Sequence, residues 1–294
     1  AGELWIGVGG GRFDEHPNTT RERAQNECAA TLVANALGIQ DAPQLQEILR
    51  FARKKDLNGG GHAFDIGKIA EQMHRYQPPE MVMNWVFCAL DVKFRTQKEF
   101  WGVTAQEFKN NATLTTIDGP SGENITLATI TSDNEDVAKF ARMSDCDVIV
   151  LGSSRGLVQI FRKGTSKIDL TSVMRTLRIE ERRANNLPDP EPPDWTALSA
   201  EGRVEGAEVW HFFISQNGNG SAQSILNGSL SAPNATPTKL GLTRVSELVQ
   251  ITLGRGFEPT RANRCIAKVC SHSTGNPCPW FAWGLERCRA IHHK

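Results

Sequence analysis

No stretch of about 18 consecutive apolar residues occurs in the sequence, which excludes a hydrophobic membrane-spanning helix. Net charge is also lacking, with 33 Lys and Arg against 33 Asp and Glu. A chain with that balance has no general attraction to nucleic acid or to an anionic membrane, so any surface for a polyanion is local. A phosphorylated substrate stays compatible with it, because metal ions supply positive charge. The opening AGELWIGVGG lacks the basic start, apolar core and cleavage site of a secretory signal. It enters a strand-like run almost at once, as expected if an upstream segment is missing. Cysteine is scarce, at 7 residues, and the odd number argues against a disulfide scaffold. These absences predict a reduced, cytoplasmic protein. No internal repeat or low-complexity tract is present.

What remains is an ordinary globular composition, 39% hydrophobic and 22% charged, at a length of 294 residues that allows two domains. Residues 3–8 (ELWIGV) read as a strand entering a glycine turn. Residues 20–37 carry Cys28, Leu32, Val33, Ala36 and Leu37 at helical spacing, and Gly38 ends the pattern. Helices are expected over 43–54, 65–75 and 79–113, with Asp65 as an N-cap. The style then changes. ITLATI, NEDVAKFARMS, CDVIVLG and LVQIFRK read as strand, helix, strand and hairpin, and 169–184 as a charged helix. NNLPDPEPPDW is a proline-rich connector. Beyond it, EVWHFF reads as a strand, SIL as a short apolar run among turn formers, and TRVSELVQITL as a helix. The prediction is an α/β protein with segments 1–112, 113–186 and 195–294. Cys28, Cys88 and Cys146 are expected in the core.

Asp14, Glu15 and His16 follow the glycine turn. Carboxylate oxygens suit hard divalent ions, and imidazole adds affinity for manganese, iron or zinc. Asp56, His62 and Asp65 sit around a second glycine loop, and together such residues suit a metal centre that hydrolyses phosphate esters. A surface loop is the plain alternative. The glycines also invite a nucleotide-loop reading, but GVGGGR lacks the Lys-Ser/Thr pair of a P-loop, and no helix follows directly. Nor does a second strand ending in an acidic residue follow, as a dinucleotide site requires.

GVGGGRFDEH, about ten polar residues and then ECAATLVANALG resemble the DHH phosphoesterase superfamily, closest to its Myg-type exonuclease branch. VAKFARMSDCDVIVLGSSRGLVQIFRKG and IDLTSVMRTLRIEE extend the resemblance over residues 3–184. It implies a DHH-like N-terminal domain, a smaller α/β second domain, a two-manganese site, and hydrolysis of nucleotides or short oligonucleotides. By motif, Asp14, Glu15, His16 and Asp56 would ligate metal, with Asp14, His16 and Asp56 catalytic. Arg12, His62 and Arg155 would contact substrate. The chain departs from the family at Glu15, where a histidine is expected, and at Val8-Gly9, where an aspartate is expected. Those departures keep open a degenerate binding or scaffold protein that retains the fold. A homo-oligomer is compatible with either reading.

The last segment is irregular and holds Cys265, Cys270, Cys278 and Cys288, with His272, His292 and His293 interspersed. Thiolates and imidazoles suit zinc, and four cysteines also suit an iron–sulfur cluster. The alternative is free thiols packed beside Trp280, Phe281 and Trp283. Arg261, Arg264, Lys268, Arg287 and Arg289 make the tail basic, compatible with a nucleic-acid-binding module or a solvated face. Asn219, Asn227 and Asn234 begin Asn-x-Ser/Thr tripeptides, read here as turn chemistry.

Overall fold

The computed structural model describes residues 5–16, 26–59, 61–189, 195–217, 220–228, 234–255, 265, 267, 269–270, 272–278 and 280–292. Outside them lie residues 3–4 of the expected first strand, residues 20–25 of the expected first helix, residues 190–194 of the proline-rich connector, and Asn219, Arg261, Arg264, Lys268 and His293. The chain divides into two compact units, Ala1–Gln106 and Glu107–Lys294.

The first unit is helical. Helix α1 (Ala29–Leu37) begins where the Thr31 hydroxyl accepts the Cys28 N–H at 2.9 Å. It starts later than the spacing predicts: Asn26 has φ 60, a left-handed conformation no helix runs through. Gly38 at φ 68 closes it, as expected. The predicted face is shifted, because Ala34 is the buried residue while Leu37 is 66% exposed. Helix α2 (Gln46–Asn58) follows a 3-10 turn at Pro43–Leu45. Helix α3 (Ile66–Met73) is capped by Asp65, whose carboxylate accepts the Lys68 N–H at 2.7 Å. Helix α4 (Pro79–Glu99) starts on Pro79, whose fixed φ suits a first helical position. It widens into a π turn at Phe100–Thr104 and continues as α5 (Ala105–Asn111), so the long predicted helix is one run with a widened turn. Cys88 faces solvent on α4, not the core.

Residues 5–8 form no strand. The chain makes a single parallel bridge, Ile6 to Phe13, and folds back between them. Gly9 and Gly10 have φ of 79 and 66, and such a reversal costs glycine nothing.

The second unit is built on one six-stranded sheet, ordered β1-β2-β3-β4-β6-β5. Its strands are β1 (Thr113–Asp118), β2 (Asn124–Thr131), β3 (Val148–Gly152), β4 (Val158–Arg162), β5 (His211–Asn217) and β6 (Gly220–Leu226). The sequence reading carried helix up to 113 and missed β1, which pairs antiparallel with β2. Strands β2 and β3 are parallel and joined through α6 (Asp136–Met143), a crossover unit. Every residue of β3 is buried, which is why VIVLG reads as an unbroken apolar run. Segments 113–186 and 195–294, read from the sequence as separate, share this sheet, because β4 takes β6 as its antiparallel neighbour.

Helices α7 (Thr171–Ala184) and α8 (Gly241–Leu253) pack on each other, and α8 lies against β3 and β4. The core joins Leu127, Val150, Ile160, Leu177, Trp210, Phe212 and Leu248. Helix α7 also buries Arg175, Arg178 and Glu181. A buried charge persists only when its polar atoms find partners. Arg178 donates to the carbonyls of Leu198 (2.9 Å), Ala200 (2.8 Å) and Gly202 (2.5 Å). Burial pushes its guanidinium down to about 10, still charged at neutral pH. Glu181 accepts from Trp210 Nε1 at 3.2 Å, the Lys239 N–H at 3.1 Å and the Thr238 hydroxyl. Asn227 is buried and ties its turn down through Val209 O at 3.1 Å and Thr236 O at 2.7 Å, the turn role the sequence suggested.

Candidate metal centre

The glycine reversal creates the site in the first unit. Gly7 donates to Phe13 O at 2.9 Å and Asp14 to Gly11 O at 3.2 Å, so the loop is closed by its own backbone. Phe13 is buried and anchors the turn. The next two residues are carried inward with it: Asp14 is 4% exposed and Glu15 3%. His16 stays at the surface.

One oxygen or nitrogen from each of Asp14, Glu15 and His16 lies within 4.8 Å of the others, the only such group of three or more His, Cys, Asp or Glu among the described residues. Asp14 Oδ2 accepts the Gly10 N–H at 2.7 Å. Asp14 Oδ1 accepts the His16 N–H at 3.1 Å and meets His16 Nδ1 at 2.9 Å. The Gly10 N–H first, and His16 next, hold the Asp14 carboxyl below its usual range. Glu15 Oε1 stands 3.5 Å from His16 Nδ1. Glu15 Oε2 is buried and has no hydrogen-bond partner. A buried carboxylate oxygen left this way is costly unless something positive meets it. The donor set of two carboxylates and an imidazole suits a divalent cation of the manganese, iron or zinc kind.

The remaining sequence candidates are dispersed. Asp56 is exposed in the last turn of α2 and is not part of the three-residue group. Arg12 is exposed, its guanidinium 5.2 Å from the centre of the Phe13 ring. His62 is exposed, and its Nδ1 accepts the Phe64 N–H at 3.2 Å.

Arg155 belongs to the second unit, where it lines a cleft of about 250 Å³ with Ser132, Asp133, Ser153 and Gln159. The cleft lies beyond the C-terminal ends of parallel β2 and β3, where open α/β sheets commonly take ligands. Asp133 accepts the Ser154 N–H at 2.9 Å and is held below its usual range by Ser154 and then by the Arg155 charge. Gln159 is buried; its Nε2 donates to Gly228 O at 3.0 Å while its Oε1 has no partner. Sequence reading singled out Arg155 and passed over Gln159, because one glutamine inside VQIF carries no motif.

No protein-family model and no curated protein matches the chain. Among the described residues, no helix is long and apolar enough to cross a membrane.

Proposed function

We propose that the chain is a metal-dependent phosphoesterase acting on nucleotides or short oligonucleotides, with Asp14, Glu15 and His16 holding the metal. The observation that carries the reading is the buried, unpartnered Glu15 Oε2 beside Asp14 and His16. Manganese bound there would polarise a phosphate ester and lower the pKa of a water molecule. The Gly10 N–H keeps Asp14 ionised and oriented, and the Asp14 carboxylate orients the His16 ring through Nδ1. The resemblance to DHH phosphoesterases supplies the substrate class, and it would add Asp56 as a further ligand and Arg12 and His62 as phosphate contacts.

A second reading is a binding or scaffold protein that keeps the loop without the reaction. Its support is that Asp14 and His16 satisfy each other, and that Asp56 lies outside the cluster. Calorimetric titration of the full chain with manganese, beside hydrolysis of a short oligonucleotide, separates the two. The phosphoesterase reading expects binding and turnover, both weakened at least about tenfold in Asp14→Asn, as for loss of metal-site support. Binding without turnover favours the scaffold, and absence of manganese binding rejects the metal centre.

A further inference from the structure

Outside the candidate metal centre, the tail places Cys288 in the core with Trp280 and Trp283, and the Cys270 sulfur 3.0 Å from His292 Nε2. Among the described residues, no three cysteine or histidine ligand atoms of the tail lie within 4.8 Å of one another. The cleft of the second unit is the more developed feature, and the sheet explains its make-up. Along β3 and β4, Val150, Val158 and Ile160 belong to the core that α7 and α8 share. Side chains alternate along a strand, so Leu151 and Gln159 point to the opposite face. The two are register partners in the antiparallel β3–β4 pair, which sets them side by side there. Both line the cleft, as does Leu157, two residues before Gln159. The cleft opens at the N-terminal end of α6, between the 132–135 loop and the 153–157 turn.

Its floor is thus two leucines and one carboxamide. Gln159 is only 8% exposed. Its Nε2 donates to Gly228 O at 3.0 Å, so the amide cannot turn over without orphaning that carbonyl. Its Oε1 is buried and has no hydrogen-bond partner. A buried acceptor left this way is costly until a donor meets it. The rim sets the carboxylates of Asp133 and Glu135 against the one guanidinium of Arg155. The Ser154 hydroxyl and N–H keep Asp133 ionised. A carboxylate has about four acceptor sites, and the Ser154 N–H at 2.9 Å takes one of them, so Asp133 retains capacity for a ligand.

This lining favours an amine over a phosphate. Negative charge is in excess at the rim. The N–H groups of Asp136, Val137 and Ala138 are already given to Asn134 and Glu135, so the start of α6 does not hold them out to an anion. At about 250 Å³ the cleft also falls below the range of about 300–1,000 Å³ typical of larger ligands. It has room for one small metabolite and not for an oligonucleotide.

We propose that the cleft binds a single α-amino acid with an aliphatic side chain. The ammonium meets Gln159 Oε1 and the rim carboxylates. The ligand's carboxylate meets Arg155, whose planar fork suits it. The aliphatic side chain lies on Leu151 and Leu157. The second unit thereby has a binding role of its own, independent of the phosphoesterase reading.

The test is calorimetric titration of the full chain with leucine, isoleucine and valine, beside AMP and inorganic phosphate. Expected is one site per chain for at least one of the three amino acids. Its N-acetyl form, which lacks the ammonium, and its amide, which lacks the carboxylate, bind at least about tenfold more weakly. Arg155→Ala, at an exposed position, and Gln159→Leu each weaken binding by a similar factor, while far-ultraviolet circular dichroism shows the fold intact. Asp14→Asn binds the amino acid as the parent chain does, which separates this site from the metal centre. Absence of binding by all three amino acids, binding unchanged in both cleft variants, or binding of AMP or phosphate in their place would each overturn the proposal.

Discussion

The two units handle apolar surface in opposite ways. In Glu107–Lys294, Leu127, Ile149, Ile160, Leu177, Trp210 and Phe212 are all but inaccessible, and even Arg175 and Arg178 of α7 are inside. In Ala1–Gln106, Trp5, Ile6, Val8, Phe64, Tyr76, Met81, Phe87 and Val92 each expose about half or more of their surface. A sheet of six strands gathers side chains from distant parts of the chain onto one face, whereas short helices joined by glycine loops share small contacts. Close packing resists change, and loosely covered elements tolerate it. The candidate metal centre lies in the loosely packed unit.

The contrast breaks most visibly at Trp210. Trp210→Ala leaves a cavity and removes a donor from Glu181, and is expected to destabilise the second unit by about 3–5 kcal/mol. Urea unfolding followed by circular dichroism measures it, and a loss of under about 1 kcal/mol means that the core adapts far better than its burial suggests. Glu181→Gln keeps the shape but sets an amide against three donors, with an expected cost of about 1–3 kcal/mol in the same assay.

Glu15→Leu sharpens the comparison by its sign. Removing an unpartnered buried carboxylate is expected to raise the thermal midpoint of the metal-free chain and to abolish manganese binding. A lower midpoint would show that Glu15 supports the fold instead.

Glu180 gives the pH dependence of the second unit. Burial raises its carboxyl, but the Arg244, Trp283 and Arg183 donors outweigh that and hold it below its usual range. A depressed carboxylate contributes stability that is present above the unfolded value of about 4.3 and lost as pH falls through the folded value. The urea midpoint should therefore drop below about pH 4.3, and Glu180→Gln should flatten that drop. The smallest effect belongs to the first unit: Leu37→Ala, at a side chain 66% exposed, is expected to change stability by no more than about 0.5 kcal/mol. A larger loss would mean that α1's exposed face has a partner in solution.

Elements with strong local signals were legible. Gly38 stops α1, Asp65 caps α3, and the unbroken apolar run VIVLG marks β3. The Asp14–Glu15–His16 grouping was also readable, since three adjacent residues on a tight loop have few ways to separate. The first strand was misread because apolar residues before glycine suit an exposed bridge as well as a strand. Strand β1 was hidden behind a helical run that reads continuously into it. The burial of Cys28 and Cys146 followed from their apolar neighbours, while Cys88 shows that an apolar neighbourhood on a long helix does not decide which face is covered.

Local chemistry alone determined the mixed α/β composition, most helix ends, the placing of a metal-capable trio after a glycine turn, and the crowding of four cysteines near the C-terminus. Only tertiary structure decided that β6 and β5 extend the sheet begun by β1–β4, and that Arg178 and Glu181 lie inside. The reason is range: turns and caps depend on atoms a few residues apart. Sheet order and buried charge depend on partners tens of residues away, such as Ile160 with Ile225 and Glu181 with Thr238, and no local pattern encodes those pairs.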